Sequence, residues 1–210
     1  MPTMPNRKVL IWTVLGFLWG AFFVWYTPLA GPLTDEEIAY YMDRVTGSTR
    51  SPDEVAALRR FLESDTGDDF VMVNLIELRE RPQQVPGVTP GETASEVLAK
   101  YMAYMWPALL TRACHPVIVA DAAAPALDLW GIEGAETWTQ AAFMRYRSRR
   151  DLMAIATDPS FQGPHEFKIA AMAKTVAFPA DPWLSAGDPR LLLALVFAIV
   201  GLLLTRRRRG

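Results

Sequence analysis

Hydrophobic residues are distributed along this chain in two different ways. An apolar run without a charge extends from Val9 to Tyr26, and a second one, from Leu191 to Leu204, stops at Arg206-Arg207-Arg208-Arg209. Between them, apolar positions recur at helical or strand-like spacing, separated by Pro, Gly and charged residues. As a helix the first run is roughly 27 Å long, close to the hydrocarbon thickness of a bilayer. Trp25 and Tyr26 stand where amphipathic rings favour the headgroup level. The second run is shorter, roughly 21 Å, and spans only if Arg190 and Arg206 snorkel outward or the bilayer thins. The second run has no polar stripe, which argues against a buried core helix or an interfacial one. A cleaved signal is the alternative for the first run, but its small-x-small position is Pro28-Leu29-Ala30. For the second, the alternative is a processed sorting tail.

Pro28, Gly31 and Pro32 form a hinge. Thr34-Asp35-Glu36-Glu37 is a capping box for one helix, broken at Gly47-Ser48, and Ser51-Pro52-Asp53-Glu54 opens a second. Phe70 to Leu78 is a buried-strand pattern. Val97, Tyr101, Met105 and Leu109 mark a long helix containing Pro107. Strands are predicted at Pro116–Ala120, Trp138–Tyr146 and Thr175–Phe178. Ser148 caps a helix through Ile155, and a short helix covers Glu166–Met172. The order strand, helix, strand, strand, helix, strand predicts an α+β fold. It is a ferredoxin-like split βαβ on an antiparallel sheet, of the dimeric α/β barrel type. One face of such a sheet is left without helices and calls for a second copy, so a homodimer is expected.

The expected organisation is therefore a cytoplasmic N-terminus (1–8), a transmembrane helix (9–26), and a linker with a two-helix lead-in (27–66). The α+β domain (67–180) follows, then a linker (181–190), a second transmembrane helix (191–205) and a basic cytoplasmic tail (206–210). Arg7-Lys8 and the terminal arginines keep both ends inside, which places the middle on the periplasmic or extracellular side of a bacterial cytoplasmic (inner) membrane. The lipid bilayer is the first expected partner.

Charge sharpens this picture. There are 21 Lys and Arg against 23 Asp and Glu, and every acidic residue falls between Asp35 and Asp188. The middle is acidic and the ends basic, which argues against nucleic acid as a partner. Cys114 is the single cysteine, so no internal disulfide or thiolate cluster forms; burial as an inert thiol is the expectation, an intersubunit bridge the alternative. No metal site is predicted.

Val73-Asn74-Leu75, the strand ending Arg145-Tyr146-Arg147-Ser148-Arg149, and Asp158-Pro159-Ser160-Phe161 resemble, in order and spacing, the DUF1330 family of dimeric α+β barrels. The resemblance covers Phe70 to Phe178 and departs from the family pattern at Arg147, where it has proline, and at Phe161, where it has tyrosine. It implies the fold and the dimer. The wider superfamily includes haem-degrading monooxygenases, small isomerases and haem peroxidases, and fold analogy alone does not choose among them.

Strand alternation nominates ligand-binding residues. Asn74 shares a face with Phe70, Met72 and Ile76; Trp138 shares one with Gln140, Met144 and Tyr146, while Arg145 points the other way with Phe143. Arg145, with Arg147, Arg149 and Arg150 nearby, is read either as an anionic-ligand mouth or as a solvated strand end paired with carboxylates. His115 precedes a proline in extended chain and is expected to be exposed. His165 opens a helix and offers a base or an axial haem ligand, although no cofactor is predicted. The functional expectation is a small apolar or aromatic ligand bound, or a membrane complex supported, without catalysis at Asn74, Trp138, Arg145, Tyr146 and His165. Its alternatives are a cofactor-poor monooxygenase or isomerase, and a purely structural dimerisation domain.

Overall fold

The structure, a computed structural model, describes residues 6–46 and 51–206. The Gly47-Ser48 helix break and Arg207–Arg209 lie outside the described residues. The chain divides into two compact units, Met1–Leu29 with Pro182–Gly210, and Ala30–Asp181.

The first unit consists of helices α1 (Arg7–Tyr26) and α7 (Pro189–Thr205). Side-chain oxygens of Asn6 and Asp188 cap their first turns, accepting from the N–H groups of Lys8 and Arg190. The helices run antiparallel. Trp19 Nε1 donates to the Arg190 carbonyl at 3.0 Å near one end, and the Trp12 ring lies against Gly201 near the other, so close that a Cβ there would meet ring carbons at 2.5–2.8 Å. Arg190 is ion-paired to Asp188 at 2.7 Å, with its guanidinium 5.4 Å from the Tyr26 ring. Apolar side chains such as Phe17 and Leu202 cover the outside of the pair. Helix α1 is long and apolar enough to cross a membrane; α7 is equally apolar and shorter.

The second unit begins with helices α2 (Asp35–Thr46) and α3 (Pro52–Glu63). Both predicted capping boxes form: Thr34 with Glu37 and Ser51 with Glu54. There follow β1 (Phe70–Leu78), α4 (Ala94–Thr111), β2 (His115–Asp121), β3 (Gln140–Tyr146), α5 (Arg149–Ala156), a single turn at Pro159–Phe161, α6 (Gln162–Ala171) and β4 (Met172–Ala180). The sheet order is β2-β3-β1-β4, with every neighbouring pair antiparallel. Each helical crossover thus skips one strand, which is the split βαβ of the ferredoxin-like fold. Strand β3 starts two residues later than the sequence pattern suggests. Thr139 precedes it, donating its N–H to the Ile76 carbonyl and accepting the Leu78 N–H on its hydroxyl, so Trp138 stands outside the ladder.

Register separates the sheet's two faces. Phe70↔Tyr146, Met72↔Met144 and Asn74↔Ala142 share the helix side, where Phe70, Met72, Met144 and Tyr146 pack on Met105 and Leu109 of α4 and Ile155 of α5. Val73 and Leu75 face the other side with Phe143, Val176 and Phe178, none of which belongs to the packed clusters. A second cluster joins Ile38, Met42 and Leu62 of α2 and α3 to Met153 of α5, so the lead-in helices and the sheet domain fold as one unit.

Charges fasten that junction. Asp65 accepts the N–H groups of Leu33 at 2.8 Å and Gly67 at 3.1 Å and pairs with Arg149 at 3.4 Å. The two charged side chains are only 3% and 6% exposed. Arg149 also donates to the Phe61 carbonyl and to Ser64 Oγ. Removing one member of a buried pair strands the other, so Asp65→Ala is expected to cost about 3–5 kcal/mol, read by urea unfolding of the full chain. Glu37, bound by Arg150 and the Thr34 N–H, has its carboxyl lowered from 4.5 to about 2. This pair contributes stability above about pH 4.5 that is lost as pH falls towards 2. Because the Glu37 side chain is a third exposed, the expected loss is only on the order of 1 kcal/mol. Glu37→Gln should remove that acid-dependent component from melting curves recorded between these pH values.

Candidate functional site

The sequence-nominated residues do not converge on one cavity. Asn74 faces the helices, but its amide donates to the Met72 and Ala142 carbonyls at 3.0 and 2.9 Å, satisfying strand backbone. Tyr146 is core: it stacks on Phe70 at 5.4 Å between centroids, and burial pushes its phenol well above the ordinary tyrosine range. Trp138, half-buried before β3, has the Lys174 ammonium over its ring at 4.8 Å.

Arg145 is itself buried, bound through Nε and Nη2 to Asp69 and through Nη1 to the Ala113 carbonyl at 2.8 Å. The three arginines after it are likewise committed, Arg147 to Asp151, Arg149 to Asp65 and Arg150 to Glu37. Carboxylates of the same unit therefore occupy the row read as a possible anion mouth, and they do so in a partly buried junction rather than at a solvated strand end. Spacing alone does not reveal this, because Asp65, Asp69 and Glu37 approach only through the tertiary fold. His115 is half-buried rather than exposed, with its ring Nδ1 3.0 Å from the Pro116 carbonyl.

His165 is the nominated residue that borders an open space. A groove of about 330 Å³ runs between α6 and the start of β4, lined by Arg79, His165, Lys168, Ile169, Met172 and Thr175, among others. It lies beside β4, an edge strand, and Thr175 sits opposite Ile76 on the helix side of the sheet. His165, Lys168 and Ile169 recur at helical spacing on α6 and so present one face, and Met172 caps the helix end beside them. Tyr101 of α4 stands behind them, its ring edge-on to His165 at 6.1 Å and 6.0 Å from the Lys168 ammonium. Burial pushes the Tyr101 phenol up to about 12 and lowers the Lys168 ammonium. Arg79 and Lys168 escaped the sequence reading because they lie outside every recognisable motif. A second groove, about 270 Å³ and almost wholly apolar, lies between α1 and α7 beside Trp12, Trp19 and Phe197.

The chain is similar to the RPA0582 protein of unknown function from Rhodopseudomonas palustris, at 23% identity and a TM-score of 0.50, over 66% of this chain and 99% of that one. A methylated RPA0582 protein aligns at 24% identity and a TM-score of 0.52, over 69% of this chain and 100% of that one. The likeness is one of fold. A dimeric protein of unknown function and ferredoxin-like fold from Bacteroides fragilis is more distant, at 14% identity and a TM-score of 0.33, over 54% of this chain and 96% of that one. No family model and no curated protein matches the chain.

Cys114 is fully buried, as the sequence reading expects, and accepts the Arg147 N–H at 3.4 Å. Burial raises its thiol to about 11, so little thiolate forms at neutral pH. Iodoacetamide at pH 8 should leave it unmodified in the folded chain and alkylate it within minutes in urea, as measured by intact mass.

Proposed function

We propose that this chain is a bilayer-anchored, self-associating α+β module of a bacterial cytoplasmic membrane whose role is to bind a small molecule rather than to catalyse its conversion. The observation that carries the reading is the open groove between α6 and β4, bordered by His165. The groups nominated for proton transfer argue against an enzyme: Tyr146 is core and Arg145 is ion-paired, so neither meets His165 in a shared cavity. The DUF1330 likeness of Phe70 to Phe178 belongs to the same proposal and is compatible with the ferredoxin-like topology.

Anchoring is supported by two apolar helices packed antiparallel, which bring the start of α1, with Arg7 and Lys8, and the end of α7, with Arg206, to one side. Both termini are read as cytoplasmic and the Ala30–Asp181 unit as periplasmic or extracellular. Self-association is supported by the sheet face opposite the helices, where Val176 and Phe178 are 43% and 48% exposed beside Val73, Leu75 and Phe143. A second copy of the same face is the self-complementary cover that two-fold symmetry supplies.

Native mass spectrometry of the full chain, purified from cells and released from detergent, tests both parts. The expected species is a dimer carrying a reproducible small-molecule mass, with Phe178→Asp shifting it to monomer. An empty dimer would overturn the binding role, and a wild-type monomer would overturn the sheet-face pairing.

A further inference from the structure

The groove's side chains say more about the ligand than its volume does. Four basic residues line it, Arg79, His165, Lys168 and Lys174, and no Asp or Glu does. Lys174 is engaged elsewhere: its ammonium donates to the Gly134 carbonyl and sits over Trp138. Arg79 and Lys168 are not. The Arg79 Nε is buried and has no hydrogen-bond partner, an arrangement that costs stability unless something supplies an acceptor. The Lys168 ammonium meets the face of the Tyr101 ring, and among the described residues it has no carboxylate within ion-pair distance. Every arginine from Arg145 to Arg150 has found an acidic partner, whereas Arg79 and Lys168 border the groove without one among the described residues. Beside them Ile169, Met172 and Ala173 form an apolar wall.

Resting on the binding role argued above, we propose that the α6–β4 groove takes a small organic carboxylate, with Arg79 and Lys168 holding its carboxylate and Ile169 and Met172 its apolar body. The planar guanidinium fork of Arg79 suits two carboxylate oxygens. The volume, about 330 Å³, is at the small end for ligand sites and fits a molecule of one ring or a short chain.

The test is a fluorine NMR titration of the full chain in zwitterionic detergent, with empty micelles as the blank. The probes are para-fluorobenzoate and its neutral counterpart, para-fluorobenzyl alcohol. The expected result is saturable binding of the benzoate, at least about tenfold tighter than the alcohol, as charge-assisted hydrogen bonds provide. Inorganic phosphate at equal concentration should displace it poorly. Arg79→Met and Lys168→Met should each weaken the benzoate by a similar factor, while Arg59→Met, on the exposed face of α3, should not. Arg79→Met should melt no lower than the wild type, since it removes an unsatisfied buried donor. If that variant fails to fold, Lys168→Met on the groove rim gives the reading. Equal binding of benzoate and alcohol would overturn the carboxylate assignment and leave the binding role standing. Displacement by phosphate as effective as by benzoate itself would overturn the organic class. Saturable binding of neither probe would remove the groove as a site, whereas failure of the binding role as a whole would show as an empty dimer in native mass spectrometry.

Discussion

Asp65 holds the Ala30–Asp181 unit together at its least forgiving point. Its two oxygens serve the Leu33 N–H, the Gly67 N–H and the Arg149 guanidinium, all in a region closed to water. The chain leaving the hinge, the turn between α3 and β1, and the first turn of α5 are thereby fixed to one carboxylate. The turn itself needs Gly67: its φ is +83°, and a Cβ would lie 2.7 Å from the Gly31–Pro32 peptide. A buried ion pair of this kind is weak evidence of net stabilisation, since desolvation offsets much of the attraction. Its effect is geometric, because any other docking of α2 and α3 would leave Arg149 or Asp65 charged and unpaired.

The same logic extends along the arginine row. Arg145, Arg147, Arg149 and Arg150 run from the end of β3 into the first turn of α5 and reach Asp69, Asp151, Asp65 and Glu37 in turn. Basic residues that look like a ligand-binding cluster in one dimension become separate fasteners in three. Arg79 and Lys168, far apart in the chain, end beside one groove because α6 delivers its exposed face to the start of β4 next to the end of β1. The electrostatic contrast between a neutralised junction and an unneutralised groove is what distinguishes structural from candidate functional charge in this unit.

The sheet is similarly two-sided. Its helix side is filled by aromatic and sulfur-containing residues, with Phe70 stacked on Tyr146 and edge-on to Phe61, so the space between sheet and helices near Asn74 and Tyr146 holds core. The opposite side carries β-branched and aromatic residues that no helix of the unit packs into a core cluster. The proposed binding groove lies at the start of β4, around Met172 to Thr175, and the proposed self-association surface further along the strand, at Val176 and Phe178.

Much of this was legible in one dimension. Val9–Tyr26 and Leu191–Leu204 are apolar on every side, and such segments form helices with no buried stripe whatever surrounds them. Capping boxes at Thr34 and Ser51 and the continuous run Phe70–Leu78 fix local structure through hydrogen bonds and periodicities that span only a few residues. The order of elements then leaves few topologies, and the split βαβ is the one adopted. Trp138 marks the limit of pattern reading: it extends the apolar alternation of β3, yet Thr139 diverts its hydroxyl to Leu78 and ends the ladder first. The nominated ligand residues failed to converge for a related reason. Alternation assigns Asn74, Tyr146 and Arg145 to faces, but whether a face meets a helix, a carboxylate or open space depends on partners more than fifty positions away. Sequence by itself determined the elements, their order and the charge segregation, because those follow from short-range periodicity and composition. Only the tertiary structure decided which cations are neutralised and which stand beside a groove, because ion pairing depends on distances that the folded backbone alone sets.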